Sequence, residues 1–256
     1  MPAGVLSKSQ GGADTQNHSP VALWDRSNEN FVHWKRWWSE PTPASIGFCL
    51  GSRAGVDPDP LHKSGEDEGL IFNETKLKGA FVLELERRED ERGFFARAFC
   101  QKEFIDHSLK PVIAQGNIAF NKRKGTVRGM HFQFPPKAET KLVRATRGAI
   151  LDIIVDLRPE SPTYLQHLAV ELSADNHRAL YVPERFAHGY QTLEDATETS
   201  YQVGEFYAPG TEGGLSPFDP RLKLDWPLEV TVISPKDAAW KSLDEVEHEI
   251  RRKMMV

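Results

Sequence analysis

From about residue 71 the chain alternates short apolar runs, rich in β-branched and aromatic side chains, with closely spaced Gly, Pro and Asp. That is the pattern of an antiparallel all-β domain, in which each strand buries one face and turn residues reverse the chain. The runs predict strands over 80–85, 94–99, 112–120, 127–134, 141–147, 149–156, 165–172, 178–182, 188–192 and 197–206. Arg147-Gly148 and Ser173-Ala174-Asp175-Asn176 stand where hairpins should reverse. Only two stretches read as helical, 101–108 and the segment from 234 to the C-terminus. So many short strands with few helices predict a jelly roll or related barrel with short peripheral helices.

Residues 1–70 break this pattern: they are rich in Gly, Ser, Pro, Asp and Asn, and no strand or helix period persists. They read as a disordered or loosely docked N-terminal extension, ahead of a domain over 71–240 and a helical tail over 241–256. One island, Phe31-Val32-His33-Trp34-Lys35-Arg36-Trp37-Trp38, holds with Trp24 four of the six tryptophans. It is either a surface that docks on the main domain or a partner subunit, or a short interaction motif.

Composition narrows the function classes. A 39% hydrophobic content with 10% aromatics supplies a packed core, and a formal charge of −5 gives no general basic field for nucleic acid. The chain shows no GxGxxG or GxxxxGK[ST] loop, which disfavours a nucleotide-binding α/β domain. Cys49 and Cys100 fit neither a disulfide framework nor a zinc site, and point to a reducing, cytoplasmic setting. No run of about 18 apolar residues asks for a membrane, and no signal-peptide pattern opens the chain.

The candidate chemistry centres on Gly125 to Arg144, GTVRGMHFQFPPKAETKLVR. Strict alternation puts Val127, Gly129, His131 and Gln133 on one face and Arg128, Met130, Phe132 and Phe134 on the other. Arg128 and His131 share a pocket only if the strand bulges, and Gly129 is the residue that permits it. Taken alone, the pair reads equally as a surface arginine and a buried core histidine. Lys141 starts the next strand, and a hairpin through Pro135-Pro136 would return it beside His131; on its own it is a solvated edge lysine. His188 precedes Gly189, which allows close backbone approach. Tyr201 is either an aromatic on a half-buried strand face or a phenol able to donate a proton at neutral pH. Ser234-Pro235-Lys236-Asp237 reads as a helix start, with Asp237 also placed to orient a histidine from a neighbouring strand.

The ordered set of motifs resembles the dTDP-4-dehydrorhamnose 3,5-epimerases and related sugar-nucleotide epimerases of the cupin superfamily. It runs through Asp90-Glu91-Arg92-Gly93-Phe94-Phe95, Arg128-Gly129-Met130-His131-Phe132-Gln133, Lys141-Leu142-Val143-Arg144, Phe186-Ala187-His188-Gly189, Tyr207-Ala208-Pro209 and Ser234-Pro235-Lys236-Asp237. The resemblance implies an all-β cupin jelly-roll barrel, homodimeric, acting on a nucleoside-diphosphate 4-keto-6-deoxy sugar with no cofactor. His131 is then the general base, Asp237 its orienting partner, Lys141 the cation beside the C4 oxygen, and Tyr201 the acid on the opposite face. Arg128 and Arg92 grip the diphosphate, Arg92 from across a dimer interface, and Phe95, Gln115, Asn117 and His188 complete the binding set. The cupin metal pattern, His-x-His followed by Glu, is replaced by His131-Phe132-Gln133, so no metal is expected. Arg97, Phe206 and the segment Asn117-Ile118-Ala119-Phe120-Asn121 depart from the family pattern. A 3,4-ketoisomerase of the same sugars and a non-catalytic sugar-nucleotide-binding module are the rival readings.

Overall fold

The structure, a computed structural model, describes residues 69–255. The Trp-rich island and almost all of the predicted extension lie outside the described residues. Two antiparallel sheets form the body. One has the strand order β1 (Leu70–Glu74), β2 (Phe81–Leu85), β10 (Ala179–Val182), β7 (Lys141–Arg147), β12 (Thr197–Val203), β5 (Gln115–Asn121). The other runs β13 (Glu212–Gly214), β6 (Thr126–Gln133), β11 (Phe186–Thr192), β8 (Ala149–Asp156), β9 (His167–Ser173), with β14 (Val232–Ile233) parallel to β6. A separate ribbon pairs β3 (Arg88–Asp90) with β4 (Gly93–Phe95). Three helices, α1 (Gln101–Asp106), α2 (Pro235–Ala238) and α3 (Leu243–Met254), accompany the sheets. This is the expected jelly roll.

The expected turns are present, but they are not hairpins. β7 and β8 belong to different sheets, as do β9 and β10, so Gly148 and the Ser173–Asn176 turn carry the chain from one sheet to the other. Strand β8 shows why such a fold needs nearly continuous apolar runs. Ile150 and Ile154 face the interior with Val143, Leu180 and Tyr190, while Ile153 and Val155 face outward into a second cluster with Met130, Phe132, Leu243, Ile250 and Met254.

The C-terminal helix is therefore part of the core. Its buried Leu243, Ile250 and Met254 cover the outer face of the β6–β11–β8 sheet, each side chain stabilising by roughly 1.5–3 kcal/mol. The single helix expected after residue 234 is two, because α2 stops at Ala238 and Ser242 restarts the chain with a capping box to Glu245. No helix among the described residues is long and apolar enough to cross a membrane.

Candidate active site

Two glycines set the local geometry. The register of β6 against β11 shifts between His188 and Tyr190. Gly129 has φ +123°, and a Cβ there would lie 2.5 Å from Gly189 Cα; one on Gly189 would lie 2.7 Å from the Arg128 carbonyl. Only glycine at both positions lets the two backbones meet. The bulge that Gly129 permits is present, and it brings Arg128 to the same cavity as His131, while Met130 stays in the outer cluster and Phe132 packs there at the cavity's edge.

That cavity, about 500 Å³, lies between the sheets and falls in the range of small-molecule sites. Gln115 and Asn117 line it from β5, Arg128 and His131 from β6, Lys141 from β7, Tyr201 from β12 and Asp237 from α2. Lys141 reaches it differently from the expected hairpin. β6 and β7 sit in different sheets, so the segment through Pro135-Pro136 crosses the sandwich and Lys141 enters from the sheet opposite His131.

His131 Nε2 lies 2.6 Å from Asp237 Oδ1. Burial holds the imidazole below its usual range, outweighing the Asp237 carboxylate, which raises it. A neutral ring is the form that accepts a proton. Ser234 Oγ accepts from the Asp237 backbone N–H at 3.0 Å and caps α2, while the Asp237 carboxylate turns to His131 and not back to the Ser234 backbone as a capping-box acid would.

Tyr201 is half-buried on the opposite sheet. Burial raises its phenol above the ordinary value of 10.0, the neighbouring Tyr190 adds to this, and Arg128 opposes it. It stays protonated at neutral pH and is available as a donor. Lys141, 8% exposed, sets its ammonium 3.1 Å from Glu139 Oε1. Gln115 Oε1 accepts from the Tyr207 backbone N–H at 2.8 Å, pinning the loop that closes one side of the cavity.

Three of the expected residues do not line the cavity. Arg92 and Phe95 lie on the exposed β3–β4 ribbon; Arg92 pairs with Asp90, and Phe95 is 71% exposed. His188 sits beside His131 in the strand pairing, but it is buried and tied by Nε2 to Asp152 Oδ1 at 2.6 Å. Arg97 hydrogen-bonds Glu103, and exposed Phe206 also stays off the cavity wall.

The sequence reading missed Glu139, Asp152 and Trp240. Glu139 stands two residues before Lys141, a carboxylate within reach of a lysine. Asp152 interrupts an otherwise apolar strand, which is itself a sign of a buried partner. Trp240 packs edge-on to the His131 ring at 6.3 Å and carried no local signal. Among the described residues no cluster of three or more His, Cys, Asp or Glu side chains could hold a metal ion.

Known proteins match this domain in sequence and in fold. The family model described as dTDP-4-dehydrorhamnose 3,5-epimerase matches residues 74–245. The dTDP-4-dehydrorhamnose 3,5-epimerase of Methanothermobacter thermautotrophicus is 41% identical over 177 residues, covering 68% of this chain and 95% of that protein. The crystal structure of the Bacillus anthracis dTDP-4-dehydrorhamnose 3,5-epimerase with TDP and PPi bound aligns with TM-score 0.66 at 39% identity, over 68% of this chain and all of that one. A Legionella pneumophila dTDP-6-deoxy-D-glucose-3,5-epimerase in complex with dTDP-4-keto-L-rhamnose aligns with TM-score 0.66 at 34% identity, over 71% and 96%. A match over most of the jelly roll, at this identity, leaves one conclusion: the chain belongs to the dTDP-4-dehydrorhamnose 3,5-epimerase family.

Proposed function

We propose that this protein is an isomerase that inverts C3, or C3 and C5, of a dTDP-linked 4-keto-6-deoxy sugar. The observation that carries the reading is the placing of His131 and Tyr201 on opposite sheets of one cavity, with Lys141 lining it too. The C4 carbonyl acidifies the neighbouring C–H bonds. His131 takes one such proton, and the electron pair moves onto the C4 oxygen to form an enolate. The Lys141 ammonium stabilises that oxygen. Tyr201 returns a proton to the other face of the planar intermediate, the C4 ketone re-forms, and the configuration is inverted. The resulting imidazolium and phenolate reset by exchange with water. Both proton transfers use side chains alone.

Arg128 takes the diphosphate in this reading, with Gln115 and Asn117 beside it on β5. Arg92 and Phe95 stand away from the cavity of their own chain, which supports a homodimer in which the ribbon of one copy reaches the site of the other. Exposed Ile118 and Phe120 on the edge strand β5 give such an interface apolar surface. The free thiol of Cys100 is in keeping with a cytoplasmic setting.

The test is NMR of dTDP-4-keto-6-deoxyglucose in deuterated water with enzyme present, with UDP-, CDP- and GDP-linked analogues in parallel. Deuterium at C3, with or without C5, and an unmoved C4 ketone is the expected result. A carbonyl that migrates to C3 would show a ketoisomerase, and no label at all would leave a binding module.

A further inference from the structure

Arg128 is the only arginine among the described residues that line the cavity, and its guanidinium is held from behind. Its Nε donates to Asn121 Oδ1 at 2.7 Å, and neither Nη has a hydrogen-bond partner among the described residues. Asn121 closes β5, is 2% exposed, and lies in the segment that departs from the family pattern.

The orientation of its amide is fixed by its surroundings. Nδ2 donates to the Thr197 carbonyl at 3.3 Å and to Tyr190 Oη at 3.2 Å, and Tyr190 Oη in turn lies 3.4 Å from Thr199 Oγ1. A carbonyl only accepts, so the NH₂ end must face Thr197 and the oxygen must face Arg128. We propose that Asn121 is a positioning residue for substrate binding: it locks Arg128 through Nε so that both Nη groups face a ligand diphosphate as a fixed fork.

A neutral acceptor suits this task. It orders the side chain, yet leaves the full positive charge for phosphate, whereas a carboxylate at the same place would compete with the ligand for the guanidinium. The ordering entropy of a long arginine is met during folding and not during binding. This inference rests on the epimerase reading, in which Arg128 meets the diphosphate.

Isothermal titration of the full chain with dTDP tests it, using wild type, Asn121→Ala, Arg128→Ala and the double variant. Asn121→Ala should weaken dTDP binding about tenfold, the scale of one hydrogen bond to a charged group. In turnover the loss should fall on KM and not on kcat. On the Arg128→Ala background the second change should cost nothing more, because Asn121 acts only through that arginine. Unchanged affinity in Asn121→Ala, or the same tenfold loss without Arg128, would overturn the proposal and mark Asn121 as merely structural. Should Asn121→Ala not fold, Asn121→Ser, which keeps a hydroxyl for the buried network but is too short for Arg128, carries the same expectation. Wild type that fails to bind dTDP sinks the functional reading itself; wild type that binds beside an unaffected Asn121→Ala sinks this inference alone.

Discussion

His131 and Asp237 meet nitrogen to oxygen at 2.6 Å, and the second Asp237 oxygen accepts from the Gly129 backbone N–H at 3.4 Å. The carboxylate thus ties the imidazole to the glycine at the strand bulge. With Asp237 ionised, Nε2 carries the ring hydrogen and the lone pair on Nδ1 is left to take a proton.

The pH profile follows from this. Burial sets the His131 pKa below 6.5, so kcat/KM should fall only as pH drops through a value lower than that, when the base becomes protonated. Asp237→Asn removes the group that raises the imidazole. Its acid limb should move to lower pH and its plateau should fall by about 10²-fold. An unmoved limb with an unchanged plateau would reduce Asp237 to a residue of the α2 helix start.

Tyr201→Phe separates the two proton transfers. Deprotonation by His131 survives, so exchange at the reacting carbon, followed by NMR in deuterated water, should stay within about tenfold of wild type, while inverted product falls by roughly 10²–10⁴-fold. Because burial raises the phenol above 10.0, wild-type activity should hold steady through pH 9. Equal loss of exchange and inversion would place Tyr201 on the same step as His131.

Lys141→Met should cost on the order of 10²–10³-fold in kcat, as the loss of one oxyanion donor does. It also strands Glu139, whose carboxylate then faces the developing enolate without its counter-ion at 3.1 Å. Adding Glu139→Gln to Lys141→Met should recover part of the loss. If the double variant is no faster, Glu139 does not sense the reacting oxygen.

Asp156 is fully buried, which alone would raise its pKa, but hydrogen bonds from Arg158, Ser161 and Thr163 win and hold it below the ordinary 3.8. Its contribution is complete above pH 3.8 and is lost as pH falls through the lower folded value. Asp156→Ala should cost about 3–5 kcal/mol in urea unfolding at pH 7, because it leaves the Arg158 guanidinium without its carboxylate counter-ion, with only the Lys78 carbonyl to accept from it. A cost under about 1 kcal/mol would mean that Arg158 finds enough water to replace it.

How much of this could be read in advance depended on how strongly each segment is constrained. Strands β7 and β8 matched their expected bounds, β7 through its alternation and β8 through a continuous β-branched run, each bounded by turn residues. Strands β3 and β13 were invisible: Arg-Glu-Asp is exposed at every position, and Glu-Gly-Gly has almost no side chain to pattern. Turn residues showed where the chain reverses, but a turn that crosses between sheets is built from the same residues as one that closes a hairpin. At the site, Gly129 marked where a bulge could form if Arg128 and His131 were to share a pocket, which strict alternation forbids. Trp240 and Asp152 could not be placed, since their partners His131 and His188 are distant in sequence and brought near only by sheet packing.

The split of the machinery across the sandwich has one further consequence. His131 and Tyr201 sit on separate sheets, so the distance between them is set by how tightly the interior Ile150, Ile154, Leu180 and Tyr190 draw those sheets together. On the proposed mechanism turnover becomes a ruler for that spacing, and a barrel loosened by a single side-chain layer should fall silent while every strand is still paired.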